Sequence, residues 1–107
     1  MKNETPKDIR IKIAISLNKL LSDSKIISQD IINEENIGIS YNEIALNAEM
    51  RKATVSDIFN AHKSANTSTL LRIIYAMGYN LSDFSIKYDK ITDLEIKNFK
   101  VHIKKEA

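Results

Sequence analysis

The apolar residues of segment 40–60, SYNEIALNAEMRKATVSDIFN, stand at Ile44, Ala45, Met50, Val55 and Ile58. Ile44 and Ala45 share one face of a first short helix, Val55 and Ile58 are an i, i+3 pair on a second, and Met50 lies in the turn. Ala45 to Met50 and Met50 to Val55 are each five residues apart. Neither a continuous helix nor a strand keeps that spacing on one face, so a turn must reset the phase. The small side chain of Ala45 lets the second helix approach closely. Tyr41, Asn42, Arg51, Lys52, Ala53, Thr54 and Asp57 are left outside this core, a surface of hydrogen-bonding groups and a methyl of the kind that reads base edges.

The pattern elsewhere predicts more helix. Ile9, Ile13, Leu17, Leu20 and Leu21 make one stripe over 8–22, with Pro6 suited to the position ahead of it. Ile9, Ile11, Ile13 and Ile15 also alternate as a strand would, but the alternation fails at Leu17 while the helical stripe continues. Segment 23–39 stays open: Ile27, Ile31 and Ile32 fit a further short helix or a continuation of the first across Asp23, ended by Gly38, and an irregular loop fits equally. Asn66 or Thr67 caps a helix that buries Leu70, Ile73, Ile74 and Met77 and stops at Gly78. Asn80 then opens a short turn of helix carrying Leu81 and Phe84. Thr92 and Glu95 form a capping-box pattern ahead of Ile96, Phe99 and Ile103, which predicts a last helix over roughly 93–105; alternation of Phe99, Val101 and Ile103 leaves a short strand as the rival. The sum is an all-α bundle of five to six helices. The expected division is a DNA-binding domain over 8–84, with 23–39 as an insertion, and a C-terminal extension over 85–107 for dimerisation or partner contact.

Composition narrows the class. With 107 residues, two glycines and one proline, the chain has room for one helical core. The absence of cysteine excludes disulfides, thiolate catalysis and the common zinc sites, and fits a reducing compartment. No apolar run approaches membrane-spanning length, and MKNETPKDIR lacks a secretory hydrophobic region, so a soluble cytoplasmic protein without membrane contact is expected. The formal charge of +2 argues only weakly for a nucleic-acid partner. Segment 40–84 is neutral, and the excess sits in 85–107, where six lysines face four acids. Attraction to a polyanion must therefore come from arrangement, with Arg51, Lys52 and Lys63 on one side and Glu43 and Glu49 turned away. His62 and His102 are too far apart in sequence for a helical metal pair. Ser22, Asp23 and Ser24 lack an activating base, and Glu34 and Glu35 point in different directions on a helix. The inventory therefore leads to the expectation of no enzyme and no cofactor.

Ser40-Tyr41-Asn42-Glu43-Ile44-Ala45, Thr54-Val55-Ser56-Asp57-Ile58-Phe59-Asn60, Thr69-Leu70-Leu71-Arg72-Ile73 through Ala76-Met77-Gly78, and Leu81 to Phe84 together resemble the Cro/repressor-type helix-turn-helix proteins, the xenobiotic-response-element family. The resemblance covers about residues 40–84, and 8–22 resembles that family's first helix. It implies a five-helix DNA-binding domain that commonly acts as a homodimeric transcriptional regulator. By position it places Tyr41 and Asn42 where a helix crosses the DNA backbone, and Lys52, Ala53 and Asp57 where a recognition helix reads bases. It places Arg51 and Thr54 at phosphate or flanking bases, and Asn60 and Lys63 at a backbone grip. The chemistry agrees in kind: Lys52 can donate to guanine, Asp57 can accept from cytosine, and the methyl of Ala53 or Thr54 can meet thymine.

The chain departs from that pattern in three ways. Glu49 stands where the turn usually has a left-handed glycine, at a cost on the order of 1 kcal/mol if the geometry persists. Arg51 stands where Ser or Thr usually caps the recognition helix. Segment 23–39 is longer than the usual link. Blander readings stand beside the functional ones: Asp57 as a salt-bridge partner of a lysine, Asn60 as a helix end, Tyr41 as an exposed aromatic, Arg51 and Lys52 as a solvated pair. The expected function is sequence-specific binding of double-stranded DNA, by a homodimer whose contact lies on Leu94, Ile96, Phe99 and Ile103, unless that face docks on its own core. The alternative is an antitoxin or adaptor whose C-terminal tail binds a partner protein.

Overall fold

The computed structural model describes residues 5–31 and 40–106, with side chains described for 5–24 and 40–102. The described residues form six helices and no strand: α1 (Pro6–Ile31), α2 (Tyr41–Ala48), α3 (Lys52–Phe59), α4 (Thr67–Ala76), α5 (Leu81–Asp89) and α6 (Asp93–Glu106). None is long and apolar enough to cross a membrane.

Helix α1 begins where Thr5 Oγ1 accepts the Asp8 amide at 3.1 Å and Pro6 takes the first helical position. It runs through Asp23 without a break, so the continuation reading of the sequence describes 24–31. The side chains of Ile27 and Ile31, and both Ile32 and Gly38, lie outside the described residues. Its burial differs from a single stripe. Leu17, Leu20 and Leu21 join a main core with Ile44, Ala45, Val55, Ile58, Phe59, Ile73, Ile74, Met77 and Phe84, while Ile11, Ala14 and Ile15 join Ala61 in a second cluster covered by Ile91, Ile96 and Phe99. Ile13 packs against the main core, and Ile9, expected inside, is 38% exposed. The strand-like alternation has its cause here. A helix buried on two sides needs apolar residues on both, so Ile11 and Ile15 serve one cluster and Ile13 the other.

Helix α6 lies along α1 in the opposite direction, held by Ile96 and Phe99 and by ion pairs at both ends, Lys19 Nζ to Glu95 Oε2 at 2.7 Å and Lys100 Nζ to Asp8 Oδ1 at 3.2 Å. Its capping box forms as the sequence predicts, with the Thr92 amide donating to Glu95 Oε1 and the Glu95 amide to Thr92 Oγ1. Ile96 and Phe99 dock on the chain's own core, so of the face expected to bind a second copy they are withdrawn. Leu94, 64% exposed, and Val101, 49% exposed, face outward, and the Ile103 side chain lies outside the described residues. Helix α5 is longer than a single turn, opened by an Asn80–Asp83 capping box and pinned to α1 by Lys87 Nζ to Asp23 Oδ2 at 2.8 Å. Phe84 is buried as expected, but Leu81 is half exposed. Asn66 rather than Thr67 caps α4, accepting the Thr69 amide at 2.8 Å.

Candidate nucleic-acid interface

The pair α2–α3 is shaped by how its helices end. Ser40 caps α2 in a full capping box with Glu43, a Ser-x-x-Glu signal that the hydrophobic pattern alone passes over. Helix α2 stops when Glu49 turns left-handed, at φ 58° and ψ 52°. The Met50 amide then donates to the Ala45 carbonyl at 2.9 Å and the Glu49 amide to that of Leu46 at 3.2 Å. This pair of hydrogen bonds is a Schellman ending, which an apolar contact across the turn often accompanies; Met50 supplies it by packing against the cluster that contains Ala45. The same ending closes α3, where Ala61 turns left-handed at φ 61°, His62 donates to the Asp57 carbonyl at 2.7 Å and Ala61 to that of Ile58 at 3.2 Å. It closes α4 a third time, with Gly78 at φ 88°. Of these three joints only the last has a glycine.

Helix α3 buries Val55, Ile58 and Phe59 and turns Lys52, Ala53, Ser56, Asp57 and Asn60 along its outer side, with Lys52 and Ala53 exposed and the rest half-buried. Ser56 belongs to this stripe, four residues from both Lys52 and Asn60, a spacing that was available in the sequence. Arg51 stands at the N-cap position in extended backbone, makes no side-chain cap and is exposed. Thr54 is half-buried, and its amide donates to the Arg51 carbonyl at 3.0 Å. Neither Arg51 nor Lys52 forms an ion pair with another described residue.

The remaining expected site residues divide. Asn42 is exposed on the first turn of α2. Tyr41 is not an exposed aromatic: its ring packs on Phe59 with centroids 5.0 Å apart, and burial raises its hydroxyl above the ordinary phenol value, against the opposing pull of a hydrogen bond with the Asn60 side chain. Asn60 ends α3, its Nδ2 donating to the Ser56 carbonyl at 2.8 Å. From the other side, Asn18 Nδ2 donates to the carbonyl of Phe59 at 2.9 Å, fixing the end of α3 to α1. Asp57 is paired, with Oδ2 3.5 Å from Lys63 Nζ and Oδ1 3.7 Å from His62 Nδ1. Lys63 was expected beside this surface; His62 was not, because its position in the sequence gives no sign that the chain folds back after α3. Glu43 is engaged in the α2 cap, and Glu49 Oε1 lies 3.8 Å from Arg72. Among the described residues no group of three or more His, Asp or Glu side chains is placed to hold a metal ion.

Arg51, Lys52, Ala53, Thr54, Asp57, Asn60 and Lys63 thus lie on or just beyond one helix, with Tyr41 and Asn42 at the start of its neighbour. Comparison of the chain with protein-family models, with curated proteins and with solved structures returns no match.

Proposed function

We propose that the protein is a sequence-specific DNA-binding transcriptional regulator of the Cro/repressor helix-turn-helix type, with α3 entering the major groove of a duplex and acting as a homodimer on two-fold related half-sites. The observation that carries this reading is the α2–α3 joint. A left-handed Glu49 and an inward Met50 seat α3 by its inner side alone, leaving Lys52, Ala53 and Asp57 outward between cations at Arg51 and Lys63. Lys52 reads a base edge, while Arg51, Asn42 and Lys63 meet phosphate.

The test is selection of bound duplexes from a randomised pool, followed by titration of the selected and scrambled sites at several salt concentrations. A single enriched motif, a steep negative salt slope and a large specific-to-nonspecific ratio are expected. Equal affinity for scrambled sites ends the proposal. At the selected site, Lys52→Ala is expected to lose about 1–3 kcal/mol and to relax preference at one base pair; an unchanged preference removes Lys52 from that role.

A second reading draws on α6. Leu94 and Val101, seven residues apart on its outward side, remain exposed after Ile96 and Phe99 have docked. An antitoxin or adaptor would use that strip to hold a partner protein. Capture of one partner that depends on Leu94 and Val101, by a chain without sequence-specific DNA affinity, distinguishes this reading from the first.

A further inference from the structure

We infer that Asp57 is a positioning residue for a preassembled phosphate grip, formed by His62 and Lys63, and not a reader of cytosine; the inference rests on the DNA-binding reading above. The Schellman ending of α3 folds the chain back so that the amides of His62 and Lys63 both donate to the Asp57 carbonyl, at 2.7 and 3.3 Å. The left-handed backbone of Ala61 makes this return, and its methyl is buried against Ile11, Ala14 and Ile15, so the return is anchored to α1. The two side chains that follow are thereby brought to the Asp57 carboxylate, one near each oxygen. One residue thus organises the loop twice, by its carbonyl and by its side chain.

The electrostatics favour this role over base reading. A carboxylate carried alone toward a duplex meets the repulsion of the phosphates on both sides of the groove, whereas this one has a lysine and a histidine across it. Both partners stay available to a ligand: their side chains are 71% and 51% exposed, against 29% for that of Asp57. Separations of 3.5 and 3.7 Å at such exposure make weak pairs, which limit where the cations can go without withholding them from a phosphate oxygen. Lys63 brings a full charge, and with Nδ1 turned to Asp57 the doubly protonated His62 ring keeps its Nε2–H for a phosphate oxygen.

Asp57→Asn tests the assignment, because it keeps the shape and leaves the backbone carbonyl that seats the loop. Binding is measured across a randomised duplex pool, in the wild-type chain and in a His62→Ala/Lys63→Ala background, with circular dichroism confirming equal helix content. Positioning predicts that Asp57→Asn weakens all duplexes alike, by about two- to fivefold, with base preferences unchanged. It also predicts that this loss disappears in the double-alanine background. Lys63→Ala alone is expected to make the log–log salt slope shallower by about 0.9. An altered preference at one base pair in Asp57→Asn, or a loss that persists without His62 and Lys63, overturns the inference while leaving the DNA-binding reading intact. A wild-type chain without specific duplex affinity overturns both.

Discussion

Replacing Glu49 by glycine isolates the cost of the turn between α2 and α3. Glu49 holds φ 58° and ψ 52°, where a Cβ crowds the following carbonyl and an L-residue is disfavoured by roughly 1–2 kcal/mol. Glycine relieves that strain but widens the unfolded ensemble, which returns about 0.4–1 kcal/mol. The side chain removed is 84% exposed, and its 3.8 Å pair with Arg72 is too open to matter much. Glu49→Gly is therefore expected to stabilise by about 0.5–1 kcal/mol, which raises the melting midpoint by about 2–6 °C in a domain of this size. Glu49→Ala keeps a Cβ and is expected to gain nothing. Ala61→Gly supplies the contrast: its backbone is the same, at φ 61°, but its methyl lies buried among Ile11, Ala14 and Ile15. Loss of that group, about 0.8 kcal/mol, cancels the relief and leaves stability near that of the wild type. Thermal and urea unfolding followed by far-ultraviolet circular dichroism measure all three. If Glu49→Gly and Glu49→Ala melt together, the left-handed joint carries no strain and the reasoning fails.

Arg51→Ser gives α3 the cap it lacks and removes a cation from the positive end of the helix, so unfolding is expected to require about 1 kcal/mol more while duplex affinity falls. Unfolding curves and binding titrations on the same preparation would expose a shared direction, which would sink the trade-off. Phe99→Ala hollows the second cluster and is expected to cost about 2–3 kcal/mol, less than a fully buried phenylalanine, with hydrogen exchange accelerating in α6 more than in α2 and α3. Hydrogen bonds from Lys100 and Lys19 are the main cause that holds Asp8 and Glu95 below the ordinary carboxyl values of 3.8 and 4.5. Lowered folded-state values mean stabilisation that is complete above the ordinary range and lost as pH falls through the lowered one. Amides of α6 are therefore expected to exchange with lower protection at about pH 3 than at about pH 6, once the intrinsic rate is corrected, and equal protection would reject the staple.

Legibility in the sequence tracks how local each signal is. The α2–α3 pair, the Gly78 stop and the Thr92 box were readable because each rests on residues within a few positions of one another, and the inward Met50 followed from phase alone. The second side of α1 was not. Ile11 and Ile15 look like strand alternation until the distant Ile96 and Phe99 arrive to bury them, and a single-stripe helix pattern cannot announce a partner more than eighty residues away. The face of α6 was open between a dimer contact and docking on the chain's own core, and Ile96 and Phe99 take the second course. At the candidate site the residues on α3 were legible from spacing. A lysine partner for Asp57 was among the readings, and Lys63 supplies it; the approach of His62 was not, because it depends on Ala61, a residue type whose preferences give no hint of a left-handed turn.

Both ends of α3 thus sit at joints that local preference opposes. A left-handed glutamate and an uncapped arginine precede it, and a left-handed alanine follows; together these cost on the order of 3 kcal/mol or more. An eight-residue helix is too short to hold itself in water, so its ends cannot be what fixes it. Burial can: Val55, Ile58 and Phe59 are all within the core, each worth about 1.5–3 kcal/mol, and Asn18 adds a hydrogen bond from α1 to the Phe59 carbonyl. The inner side therefore outweighs the joints and sets the position of the helix. Residues 49, 51 and 61 are released from the task of ending helices well, and a basic residue becomes affordable at Arg51, where a cap would serve folding better.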